Sequence, residues 1–181
     1  MFCDDGFDVT NTVDMCDALL EKRENGSTDE FEEALLFYLC GACELLKAAE
    51  FFEVPGMDLS EESWGPAISV DVIVHSCNLH NDMDEEDSKA VVIAMLAGYF
   101  LFMFYNSLLD NGNCPSLLLD EESGNIILCD ETEDGQIMEY DVMSEMDDFS
   151  DSIVFETHDD GVSVSIPIDE LLDGFRMAFA V

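Results

Sequence analysis

The chain has 181 residues, enough for one medium domain or two small ones. Hydrophobic residues make up 48% of it, with 13 Phe and 10 Met, so it can bury a core and lacks the composition of a disordered chain. Its 43 Asp+Glu against five Lys+Arg give a formal net charge of −38, which argues against binding nucleic acid or anionic lipid.

In chain order, residues 11–23 form a short helix candidate that ends at Asn25-Gly26. Ser27 with Glu30 then reads as a capping box, followed by an acidic first turn suited to the positive end of a helix dipole. Phe31, Leu35, Tyr38, Ala42, Leu45, Ala49 and Phe52 recur at spacings of four and three, a helical stripe that Leu36, Leu39, Cys43 and Leu46 widen. Pro55-Gly56 is expected to end this helix. A polar loop carries Trp64, and residues 67–77 read as a β-branched strand. Residues 90–109 carry no charge and are long enough to cross a bilayer. Their flanks, Asp84, Glu85, Glu86, Asp87 and Asp110, are acidic on both sides, so a buried central helix is the expectation over a membrane span.

From Asn111-Gly112 onward, β runs alternate with acidic turns closed by glycine: 116–119, 125–129, 136–142, 152–158 and 162–168. The last run alternates apolar residues with Ser163, Ser165 and Pro167, the pattern of an edge strand. Residues 144–151 read as a mobile loop. A terminal helix over 169–179 packs back through Leu171, Leu172 and Phe175. The expected fold class is α+β: a helix-rich region with one strand over residues 1–112 and an acidic antiparallel meander with a terminal helix over 113–181, together one domain.

Seven cysteines at irregular spacing, with no basic or apolar leader in Met1-Phe2-Cys3-Asp4-Asp5, point to reduced thiols and a cytoplasmic setting. Cys40 and Cys43 form a CxxC, but in mid-helix, where packing explains them better than redox chemistry. His75, Cys77, His80, Asp82 and Asp84 match no zinc spacing. Residues 130–141 resemble the twelve-residue calcium loop of EF-hand proteins, with Asp130, Thr132, Asp134 and Asp141 at the ligand positions. Strand-like sequence on both sides favours an acidic hairpin turn instead. There is no phosphate-cradling glycine loop and no nucleophile elbow, so no enzyme activity, cofactor or metal is expected.

What remains is the distribution of charge: no Lys or Arg occurs between positions 90 and 175. A solvated surface without a task would mix its signs. Outward strand positions repeat every 6.6–6.8 Å or so and helical acids at i, i+4 lie about 5–6 Å apart. Such rows can imitate a phosphate backbone. In size, charge and lack of motifs the chain resembles the DNA-mimic inhibitors of phages and mobile elements, a group that includes anti-restriction and acidic anti-CRISPR proteins. The resemblance is compositional and carries over no functional residue. It implies a stoichiometric inhibitor in a bacterial cytoplasm that blocks the DNA or RNA groove of a Cas effector or restriction nuclease. The expected partner-binding acids are Asp120, Glu121, Glu122, Asp130, Glu131, Glu133, Asp134, Glu139, Asp141, Glu145, Asp147, Asp148 and Asp151. Helix 90–109 offers a homodimer interface besides. The alternatives are an immunity protein against a basic toxin nuclease, or a calcium-binding protein built on the 130–141 loop.

Overall fold

The computed structural model describes residues 6–7, 9–52, 72–74, 85–132, 134–148, 150–152, 154–158, 161–165 and 168–179. The Trp64 loop, His75, Cys77, His80, Asp82, Asp84, Pro55-Gly56, Pro167 and the 159–160 turn lie outside them. The elements in order are α1 (Val9–Glu24), α2 (Glu30–Phe52), β1 (Val72–Val74), α3 (Glu85–Asp110), β2 (Ser116–Leu119), β3 (Ile126–Glu131), β4 (Ile137–Tyr140), α4 (Val142–Asp148), a 3-10 turn (Ser150–Ser152), β5 (Val154–His158), β6 (Gly161–Ser165) and α5 (Ile168–Phe179). The fold is α+β, with helices in the front half and antiparallel strands behind.

The uncharged stretch became the central helix. Its window Ile93–Asp110 is long and apolar enough to cross a membrane, yet 72% of it is buried inside the fold, as a core helix requires. Leu96, Tyr99, Leu101, Phe102, Phe104 and Leu108 are all fully buried. From Ile93 onward most of α3 is covered by the chain's own side chains. The buried face of α2 carries Leu35, Leu36, Tyr38, Leu39, Ala42, Cys43 and Leu45, the front part of the stripe read from the sequence; the side chains of Leu46, Ala49 and Phe52 lie outside the description.

Two glycines set how closely α2 and α3 approach. A Cβ on Gly41 would stand 2.7 Å from the Ala94 carbonyl oxygen and 3.1 Å from Met95 Cα. A Cβ on Gly98 would overlap the Tyr38 carbonyl oxygen. Neither neighbour is a flexible side chain, so only glycine lets the two backbones touch. This also accounts for the letters of the CxxC: Gly41 is a packing residue and the thiols flank it. The Cys16 and Cys40 sulfurs lie 3.5 Å apart between α1 and α2, and burial followed by the neighbouring thiols pushes the Cys16 thiol up from its ordinary pKa.

The capping of α2 differs from expectation. Asp29, not Ser27, is the N-cap: its Oδ1 accepts the Glu32 N–H at 2.8 Å, and Glu32 Oε2 accepts the Asp29 N–H at 3.1 Å. Ser27 instead closes α1, its N–H and hydroxyl both donating to the Lys22 carbonyl. Lys22 pairs with Glu32 across the connection and holds that carboxyl below its usual range.

The single meander expected for the back half is two three-stranded antiparallel sheets. One has the order β2-β3-β4. The other has the order β1-β6-β5, so the run read as an edge strand is central, flanked by β1 from the front half and β5. Run 136–142 stops at Tyr140, and of residues 144–151, expected as a mobile loop, 144–148 lie within α4 and 150–151 within the 3-10 turn, with 149 outside the described residues. Leu171, Leu172, Phe175 and Phe179 dock α5, with Phe175 stacked on Phe104 at 4.2 Å and 5°.

Candidate protein-binding surface

The β2-β3-β4 sheet presents the acids, and its pleat sorts them. Leu117, Leu128 and Tyr140 align across the strands and face the core, as do Leu119 and Ile126. Tyr140 donates its hydroxyl to the Leu171 carbonyl at 3.0 Å, and the Tyr38 hydroxyl accepts the Ile126 N–H at 3.3 Å. The sheet is thereby fixed to α5 on one side and α2 on the other. The opposite face carries Ser116, Leu118, Ile127, Cys129, Glu131, Ile137 and Glu139.

The turn between β2 and β3 is held by Asp120. Its carboxylate accepts the Ser123 N–H at 2.9 Å, the Ser123 hydroxyl at 2.6 Å and the Glu122 N–H at 3.3 Å, and those bonds hold it below the usual carboxylate range. Gly124 closes the turn at φ +76°. Glu121 and Glu122 are left exposed at the tip. Glu30 of α2 joins Asp120 and Glu121 around a groove of about 520 Å³.

The hairpin at the other end of the sheet, between β3 and β4, is closed by Thr132 N–H to the Gln136 carbonyl at 2.9 Å and by Gly135 at φ +77°. Asp134 accepts the Thr132 hydroxyl at 2.6 Å, and Glu131 is exposed beside it. Six residues of β3 separate the two acidic ends by roughly 17 Å, at about 3.3 Å per residue.

Of the expected binding acids, Glu121, Glu122, Glu131, Asp134, Glu139, Asp147, Asp148 and Asp151 are exposed. Glu133 lies outside the described residues. Two are not surface acids in the sense expected. Asp130 is only 7% exposed and accepts a bond from Asn113 Nδ2 at 2.5 Å. It shares the inner face with Ile126 and Leu128, where a carboxylate needs a partner. Asp141 does not project from a strand but caps α4, accepting the Ser144 N–H at 3.0 Å and the Ser144 hydroxyl at 2.8 Å, and it also accepts Asn125 Nδ2 at 2.9 Å. Glu145 is half-buried. Burial, then the charges of Asp148 and Asp141, raise its carboxyl above the usual range.

These placements bear on the calcium alternative. Asp130 and Glu131 pair with Met138 and Ile137 as antiparallel strands, where an EF-hand loop would join two helices. The oxygens of Asp130, Asp134 and Asp141 are turned to Asn113, Thr132, and Asn125 with Ser144. Among the described residues no group of three potential metal ligands converges anywhere.

Sequence reasoning missed the apolar part of this surface. Leu118 is 48% exposed and Ile137 62%, on the same outward face as Glu131 and Glu139. Strand phase would have found them, since both alternate with inward residues. Cys129, between them, has its thiol pushed up to about 11 by burial and by the adjacent Glu139. Comparison with protein-family models, curated proteins and solved structures gives no match.

Proposed function

We propose that this protein is a non-enzymatic, cofactor-free inhibitor that occupies the DNA- or RNA-binding groove of a defence nuclease in a bacterial cytoplasm, of the anti-CRISPR or anti-restriction kind. The observation that carries this reading is the absence of Lys and Arg between positions 90 and 175, over a stretch that ends its sheet in two acidic turns. Carboxylates held on a sheet keep their spacing, so little ordering entropy is lost when they meet a groove lined with Lys and Arg. Charge of one sign also speeds encounter and makes it salt-sensitive.

The test is competition. A Cas effector or restriction nuclease is titrated with this protein in the presence of labelled DNA or guide RNA at several salt concentrations. The expected result is displacement that weakens as salt rises and is lost in a Glu121→Lys/Glu122→Lys/Glu131→Lys/Glu139→Lys variant. Undiminished inhibition by that variant sinks the reading. A second reading, an immunity protein against one basic toxin nuclease, draws support from Leu118 and Ile137. Exposed aliphatic groups suit a single cognate partner better than a generic phosphate channel.

A further inference from the structure

The outer face of the β2-β3-β4 sheet is neither a plain acidic surface nor a buried one. Leu118 stands directly opposite Ile127, Cys129 opposite Glu139, and Ile137 opposite Glu131. Leu118, Ile127, Cys129 and Ile137 therefore lie along one diagonal apolar row, exposed at Leu118 and Ile137, half-buried at Ile127 and buried at Cys129, which is 3% exposed. Each step along it is a cross-strand, same-strand or diagonal neighbour distance of roughly 5–8 Å. Acids bound the row at both ends, Glu121 and Glu122 at one turn and Glu131 and Asp134 at the other. An apolar centre with a charged rim is the anatomy of a protein–protein interface, in which a few central side chains supply most of the affinity.

We infer that this face docks a basic amphipathic segment of a partner protein, with Leu118 and Ile137 as anchors and the flanking acids paired to Lys or Arg on either side of an apolar strip. The inference rests on the inhibitor reading and adds the partner's chemistry: not a bare phosphate-binding channel, but a surface whose positive charges bracket exposed aliphatic side chains. Charge complementarity selects this occupant. A second copy of the chain would bring another formal −38 against the same rim. A nucleic acid would meet the same repulsion.

The test uses two fluorescent peptides, an eight-lysine homopeptide and an alternating Leu–Lys peptide with eight lysines. Each is titrated by anisotropy with the full chain and with Leu118→Ser/Ile137→Ser, at 0.15 and 0.5 M NaCl. The alternating peptide should bind the parent chain at least tenfold more tightly, and its advantage should persist at 0.5 M, where screening removes the lysine homopeptide. The double variant should bind both peptides alike. Because Ile137 is the more exposed of the two, Ile137→Ser alone supplies the same comparison if the double variant melts early. Equal binding of both peptides by the parent chain, or an undiminished preference in the variants, overturns this inference and leaves the inhibitor reading standing. No binding of either peptide at 0.15 M overturns both. A homodimer in sedimentation that the double substitution dissociates assigns the face to a second copy instead.

Discussion

Asp130 and Glu131 are neighbours in sequence with opposite fates, and strand parity decides between them. Ile126, Leu128 and Asp130 share one face of β3, while Ile127, Cys129 and Glu131 share the other. The alternation was legible in the sequence; that an acid would take an inward position was not, because its acceptor need is met by Asn113, seventeen residues away. Asp141 was legible as a cap only in that Asp is a favoured N-cap residue, and the apparent alternation of residues 138–142 masked it. Glu145 gives the prediction at this scale. Its folded pKa is raised, so the folded state holds a proton that the unfolded chain has already released. Stability falls as pH rises from the unfolded value through the folded one, and the penalty is fully present above it. Glu145→Gln should therefore raise the melting temperature at pH 7 and leave it little changed near pH 4, as scanning calorimetry at the two pH values would show.

The long elements were read correctly because their periodicity extends over many turns, whereas the ends were decided by local competition. Before α2 two capping boxes overlap, Ser27 with Glu30 and Asp29 with Glu32. The chain uses the second because Ser27 is already engaged by the last turn of α1. Asp29→Ala should then cost about 1 kcal/mol in urea unfolding, the usual worth of an N-cap. Ser27→Ala should cost less, because the backbone bond from its N–H to the Lys22 carbonyl survives the substitution. An inverted ranking would mean that the box at Ser27 forms in solution. The split of the back half into two sheets was not legible at all. β6 pairs with β1 across nearly ninety residues of sequence, and no local pattern records a partner so distant.

On the scale of the whole molecule, the core and the surface work against each other. A continuous apolar core runs from Phe7 to Phe179, while like charges on the surface favour expansion. Among the described residues Lys22–Glu32 and Arg176–Asp173 pair opposite charges, but neither base lies within the stretch from 90 to 175, whose acids reach only Arg176 at its edge. Raising NaCl from 0.05 to 0.5 M should accordingly raise the melting temperature, since screening acts on repulsion more than on those two contacts. A flat or falling response would show that the acids are spaced widely enough to ignore one another.

The meeting of α2 and α3 at Gly41 and Gly98 has a consequence for how this chain can drift in sequence. Most core positions tolerate exchange among aliphatic residues of similar volume, with neighbours shifting to absorb the difference. At these two positions the neighbour is main chain, which cannot change its rotamer or be replaced. Any side chain at either site must push the helices apart along their shared length, and with them Tyr38, which ties α2 to the sheet that carries the acids. The two smallest residues in the helical layer thus hold the charged face in register. Relatives that keep the task can be expected to rewrite the acids freely while leaving this pair of glycines alone.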